Sequence, residues 1–224
     1  ISSTSSHRVD LPALVAHGRA MGSLIGVDIT QGAGLIPFDV TAPAVDFAVS
    51  TSLKWMCGTP GAGALYLAPA LIAACSPELR GWFSQDNPFN WDITRFAYAP
   101  DIRRFDAGTP GCMAAIASLP ALDWHAAQDQ AAILAHNRAL TARIIAGADA
   151  AGLPLLTPRP EAERGGSVML RLPDRHPGAE AVASLRAKGI TADHRGQTLR
   201  LSPGILTTAA GTEALVAALA GLSP

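Results

Sequence analysis

Lysine is nearly absent from this chain. Seventeen residues are Lys or Arg, and only Lys54 and Lys188 are lysines. Where a plain cation suffices the chain uses arginine, so a lysine beside apolar strands asks for a chemical reason. An amine condenses with an aldehyde and a guanidinium does not; the plain alternative is a surface lysine whose stem lies along apolar neighbours. Aromatic residues make up only 5%, so their concentration in one stretch is itself a signal. The three cysteines, Cys57, Cys75 and Cys112, are widely spaced and odd in number. They give neither metal-ligand spacing nor a disulfide framework, and a reducing cytoplasm is the expected compartment. Net charge is -1, with no basic tract, which argues against nucleic acid as a partner. No apolar run approaches the roughly 18–20 residues that span a bilayer, and no signal-peptide pattern opens the chain, so no membrane partner is expected.

What is present is a core-forming composition. Of 224 residues, 49% are hydrophobic and 16% charged, enough for one large domain or two small ones. The chain opens on Ile1 and a small polar run, Ser2 to Ser6, which reads as the end of a strand, as if the sequence began in mid-domain. Residues 10–21 then read as a helix, with Asp10 as cap, Pro12 in the first turn, an apolar stripe of Leu11, Leu14, Val15 and Met21, and Gly22 as stop. Residues 23–29, 46–50 and 64–68 read as short strands. A helix followed by such a strand suggests a parallel sheet. Asp28 and Lys54 both fall just past strand ends, the edge where open α/β sheets bind ligands. If those two strands are neighbours, both side chains can reach one small ligand.

A short helix begins at Leu71. The aromatic stretch follows, with Trp82, Phe83, Phe89, Trp91, Phe96 and Tyr98, either a packed loop or a binding or subunit surface. Residues 113–127 and 128–151 read as alanine-rich helix, one bent or two separate, with Pro120 as a kink. His125 and His136 are expected to be ordinary helix residues. Beyond Gly152 come a strand at 167–172, a helix at 179–188 ended by Gly189, a strand pair at 190–193 and 198–201, and a closing helix at 208–222. This second half is α+β.

Taken together, Val27-Asp28-Ile29-Thr30-Gln31, Asp46 to Ser50, Lys54-Trp55 and Gly58-Thr59-Pro60-Gly61-Ala62-Gly63 resemble class V aminotransferases, a branch of the fold-type I pyridoxal-phosphate enzymes. Gly81-Trp82-Phe83, Arg104-Phe105 and Gly108-Thr109-Pro110 are most similar to the kynureninase-like members. Leu199-Arg200-Leu201-Ser202-Pro203 resembles the family's carboxylate-binding segment. The resemblance implies an α/β fold: residues 1–110 as the carboxy-terminal part of a mostly parallel large domain, and 111–224 as a linking helix and small α+β domain. It implies a pyridoxal 5'-phosphate enzyme acting on an amino acid, a kynureninase-like hydrolase or an aminotransferase, working as a homodimer with the cofactor at the subunit interface. In that reading Lys54 carries the cofactor as an aldimine and then shuttles a proton. Asp28 pairs with the pyridine nitrogen and keeps the ring an electron sink. Gln31 bonds the ring's phenolic oxygen, Thr51 contacts the phosphate, and Trp82 and Thr109 reach the phosphate across the interface. Arg200 grips the substrate α-carboxylate by a bidentate pair; His194 and Arg195 lie close by in sequence and are candidate substrate contacts.

Three departures qualify the resemblance. Kynureninases and their neighbours usually carry Tyr or His directly before the lysine, and here that residue is Leu53. Residues 189–200 contain no cysteine, which disfavours a desulfurase. The family's amino-terminal segment and the first half of its large domain are not found in this sequence. The alternative reading is therefore a non-catalytic remnant of the fold serving as a dimerisation or interaction module. A nucleotide-binding Rossmann reading is poor, because the glycine turn lies between two strands rather than between a strand and a helix.

Overall fold

Helix α1 (Leu11–Ala20) ends where the sequence places its stop. The amide of Ser23 returns to the Gly18 carbonyl at 2.9 Å and Gly22 takes φ +70°. In the computed structural model, which describes residues 1–224, three short strands follow: β1 (Gly26–Asp28), β2 (Phe47–Thr51) and β3 (Gly63–Leu67). β1 and β2 run parallel, with Asp28 opposite Val49. β2 and β3 run antiparallel, with Ser50 opposite Ala64. The sheet is thus mixed where the sequence suggested a mostly parallel one. The cause is the connection: the eleven residues between β2 and β3 form a glycine-rich hairpin link, too short to carry a helical crossover. Helix α2 (Pro69–Ala74) begins on its proline, and α3 (Cys112–Ala126) runs through Pro120 without ending.

After a break at Ala127–Asp129, α4 (Gln130–Ala150) starts with the Asp129 carboxylate accepting from the Ala131 amide at 2.9 Å. The helical region is therefore two helices, and it divides at the Asp129 cap, not at Pro120. The remaining elements are β4 (Val168–Arg171), α5 (Gly178–Ala187), β5 (Asp193–Arg195), β6 (Thr198–Leu201) and α6 (Ala209–Leu219). Gly189, at φ +77°, lets the chain leave α5, with the Ile190 amide bonding the Leu185 carbonyl at 3.0 Å; a side chain there would strain the left-handed backbone.

The chain falls into two compact units that alternate along the sequence. One comprises residues 1–11, 31–38 and 123–224; the other comprises 12–30 and 39–122. The first unit is built on an antiparallel sheet of order β4-β6-β5. The inward residues of two strands, Val168, Leu170, Leu199 and Leu201, pack with Ile144 and Ala148 of α4, Leu185 of α5, and Leu215 and Leu219 of α6. Asn137 on α4 fastens the strand ends to this layer, its Nδ2 donating to the carbonyls of Gly166 and Pro203 at 2.9 Å each. The second unit carries the β1-β2-β3 sheet. Asp46 ties it to α1: its Oδ2 accepts from Arg19 and from the Ile25 amide, both at 2.6 Å.

Candidate functional site

In the second unit the parallel pairing of β1 and β2 brings Asp28 and Lys54 to one edge. Asp28 is the last residue of β1, and Lys54 is three residues beyond the end of β2. Both are carboxyl ends of adjacent parallel strands, where backbone ladders stop and side chains turn outward. Asp28 is held as a carboxylate. Hydrogen bonds from the Thr30 side chain and main-chain amide (2.8 Å to Oδ1) push its pKa below the ordinary carboxylate value, and the Lys54 ammonium lowers it further. Thr30 does more than hold Asp28: its hydroxyl accepts the Thr51 amide at 3.2 Å and so ties the two strand ends together. Thr51 in turn accepts the Leu53 amide on its Oγ1 at 3.3 Å. Its hydroxyl proton is left to donate elsewhere.

The lysine loop is rigid for a reason absent from any single motif. Ser52 and Ser118 are buried, and their hydroxyls meet at 3.3 Å. The Thr59 amide donates to Ser118 Oγ at 2.9 Å, the Thr59 hydroxyl donates to the Ala114 carbonyl at 2.8 Å, and the Ser52 amide donates to the Ala62 carbonyl at 3.0 Å. Gly58 permits this closure, since a Cβ there would sit 2.6 Å from Ser52. The result is a clamped turn of 52–62, with the Cys57 amide bonded to the Lys54 carbonyl at 2.9 Å and the lysine side chain exposed.

Trp82 and Thr109 belong to the same unit. Trp82 opens a short 3-10 turn and meets Phe83 and Phe89 edge-on, at 4.8 and 6.0 Å between ring centroids, while 38% exposed. Thr109 is exposed ahead of α3. The aromatic stretch is a closed loop: Gln85 bridges Tyr98, and the Tyr98 hydroxyl donates to the Pro77 carbonyl at 2.7 Å. Phe89, Trp91 and Ile93 nonetheless face solvent.

The first unit holds the remaining candidates. Gln31 is half-buried at the start of the turn that follows β1, a turn closed by the Leu35 and Ile36 amides on the Gly32 carbonyl. Arg200 lies on β6 directly opposite Asp193 of β5, and the two form an ion pair. His194 points its Nδ1 to within 3.2 Å of the Gly196 carbonyl and so belongs to the β5–β6 turn. Thr30, Ser52 and Ser118 were not singled out from sequence. Thr30 alone had a local signal, its i+2 spacing from Asp28, which is that of a side-chain turn.

Against known proteins, the family model described as aminotransferase class-V matches residues 2–215. The chain belongs to the class-V aminotransferase family. Kynureninase from Deinococcus radiodurans is 34% identical over 197 residues, covering 85% of this chain and 47% of the relative. An apo cysteine desulfurase from Thermococcus onnurineus superposes with a TM-score of 0.89 at 21% identity, over 99% of this chain and 58% of that one. A C-DES variant with glycine covalently linked to its PLP cofactor superposes at 0.85 and 20% identity, over 99% and 58%. The chain spans about half the length of the curated relatives it matches, and its fold is the corresponding part of the fold-type I architecture. No helix is long and apolar enough to cross a membrane.

The residues at the strand edge suit a pyridoxal-type group. A carboxylate kept ionised by two hydrogen bonds can accept from a pyridinium N–H, and an exposed amine on a clamped loop can meet an aldehyde.

Proposed function

We propose that this chain supplies the lysine-bearing and carboxy-terminal part of a cytoplasmic, pyridoxal-phosphate-dependent enzyme acting on an amino acid, either a kynureninase-like hydrolase or an aminotransferase. In this reading residues 1–110 belong to the large cofactor domain and 111–224 to the linking helix and small domain. The carrying observation is the pairing of β1 with β2, which sets an ionised Asp28 and the Lys54 amine at one carboxyl edge with a mutual attraction. When bound, pyridoxal phosphate supplies an aldehyde for amine exchange and a ring that withdraws electrons from the substrate's α-carbon.

The chain's own residues do the rest. Lys54 would hold the cofactor's aldehyde through its amine, and its Nζ would move a proton at the substrate's α-carbon. Asp28 holds the ring-nitrogen proton. Gln31 donates its amide to the ring's phenolic oxygen. Thr51 directs its spare hydroxyl proton to a phosphate oxygen, and Trp82 and Thr109 add phosphate contacts in a homodimer. Arg200 orients the substrate carboxylate.

Purifying the protein with pyridoxal phosphate is expected to give the absorption band of lysine-bound cofactor, and Lys54→Ala is expected to lose it. Equal bands in the two proteins would end the assignment. Leu53, 45% exposed where the resembling enzymes place Tyr or His, favours a second reading, a non-catalytic dimerisation or interaction module. No cofactor retention in either protein, together with a concentration-dependent mass, would support it.

A further inference from the structure

Where β1 gives out, its pairing with β2 passes from main chain to side chain. The last main-chain rung is the Ile29 amide on the Val49 carbonyl at 2.9 Å. Two residues further along β2, the amide of Thr51 goes instead to the Thr30 hydroxyl at 3.2 Å. Thr30 is buried, at 9% exposure, while Asp28 beside it is exposed. A hydroxyl has one proton to give and two lone pairs. Here a lone pair takes the Thr51 amide, and the proton goes to the Asp28 carboxylate, which also accepts the Thr30 amide on Oδ1 at 2.8 Å. Those two donations hold Asp28 below the ordinary carboxylate range, ahead of Lys54, the one charged side chain that adds to the effect.

One buried oxygen thus fixes two groups that the reading above gives to different parts of one ligand, Asp28 to the ring nitrogen and Thr51 to the phosphate. The Thr51 side chain is also set from its other side, since its Oγ1 accepts the Leu53 amide at 3.3 Å. We infer that Thr30 is a positioning residue for the cofactor: its hydroxyl holds the Asp28 carboxylate and the Thr51 end of β2 at a fixed spacing, so that both meet pyridoxal phosphate together. This rests on the pyridoxal-phosphate reading above and adds to it a residue that acts through two others. Contacts to separate parts of one ligand must be placed to within about 0.5 Å, which takes a supporting layer of locked side chains. A main-chain rung would be indifferent to side-chain identity, proline apart. A side-chain rung is removed with one oxygen atom, so the spacing can be tested with both strands left in place.

Thr30→Val keeps the branched shape and removes the hydroxyl; Thr30→Ser keeps the hydroxyl and removes a methyl. In the cofactor-free full chain, NMR of the Asp28 carboxyl carbon is expected to show its pKa rising toward the ordinary value of about 3.9 in Thr30→Val and staying near wild type in Thr30→Ser. Hydrogen exchange at the Thr51 amide, which loses its acceptor, is expected to quicken about tenfold or more in the valine variant, with the Leu170 amide in the core of the other unit unchanged. That contrast separates lost positioning from lost folding. Titrated with pyridoxal phosphate and followed by the lysine-dependent absorption band, Thr30→Val is expected to bind about tenfold or more weakly, as loss of a bond to a charged group does, and Thr30→Ser to recover most of that. A wild-type Asp28 pKa in Thr30→Val, or a serine variant no better than the valine one, overturns the inference. A wild-type protein without the lysine-dependent band removes the enzyme reading instead; the carboxyl titration and the amide exchange then still decide whether Thr30 holds the two groups.

Discussion

The two compact units differ in how they are held together. The unit containing residues 123–224 encloses a continuous core, with Val168, Leu170, Leu199 and Leu219 wholly buried. The unit containing residues 39–122 encloses little. One face of its sheet shows Phe47, Val49 and Leu65 to solvent at 37–42% exposure, and Met113, Ile116 and Leu119 form an exposed stripe along α3. What organises that unit is polar: the Ser52–Thr59–Ser118 hydroxyl cluster, the Thr30 bonds to Asp28 and Thr51, and Asp46 joining α1 to the sheet. Core burial stabilises in bulk and without direction, whereas hydrogen bonds add little net stability but fix geometry. The half that bears the proposed cofactor amine is the half whose geometry rests on directed bonds.

Substitutions can break this contrast. The largest effect is expected from Leu199→Ala, which removes a wholly buried side chain from the centre of the first unit and should cost about 2–5 kcal/mol in denaturant unfolding. A cost under about 1 kcal/mol would mean that this core is not the main stabiliser. Asn137→Ala leaves two strand-end carbonyls, those of Gly166 and Pro203, without their donor, for about 1–3 kcal/mol by the same measurement.

Ser118→Ala tests the other side of the comparison. Global unfolding should fall by about 1 kcal/mol, while hydrogen exchange at the Thr59 amide, which loses its acceptor, should quicken far more than at the Leu170 amide. Uniform quickening would show that the cluster is no local clamp. Asp28 gives a pH signature. Its folded pKa is depressed, first by Thr30 and then by Lys54, so its contribution is present above the ordinary carboxylate value of about 3.9 and fades as pH falls through the lower folded value. Asp28→Asn should therefore differ from wild type at neutral pH and converge with it in acid; a gap that widened in acid would contradict the depressed pKa. The smallest effect is expected at the exposed pair Arg143–Glu213, where Arg143→Ala should change unfolding by less than about 1 kcal/mol.

Much of the fold was legible. The stops at Gly22 and Gly189, the strand ending near Asp28, and the strands at 167–172 and 198–201 all depend on local chemistry or on short-period patterning. The break between α3 and α4 falls within two residues of the split read at 127/128. Two features were not legible. The antiparallel sense of β3 depends on which strand accepts it. The serine cluster joins positions 59 and 66 residues apart, and nothing local marks Ser118 as a partner of the lysine loop.

By itself the sequence determined the inventory: one amine among arginines, a carboxylate at a strand end, a glycine turn after the lysine, and an arginine in an alternating strand near the end of the chain. Those follow from residue type and spacing, which act over a few bonds. Only the tertiary structure decided the pairings, namely that β1 lies beside β2 so that Asp28 and Lys54 share an edge, and that Asp193 lies opposite Arg200 so that the two form an ion pair. Pairing is set by long-range packing and strand register, where a shift of one residue would turn each of these side chains to the other face.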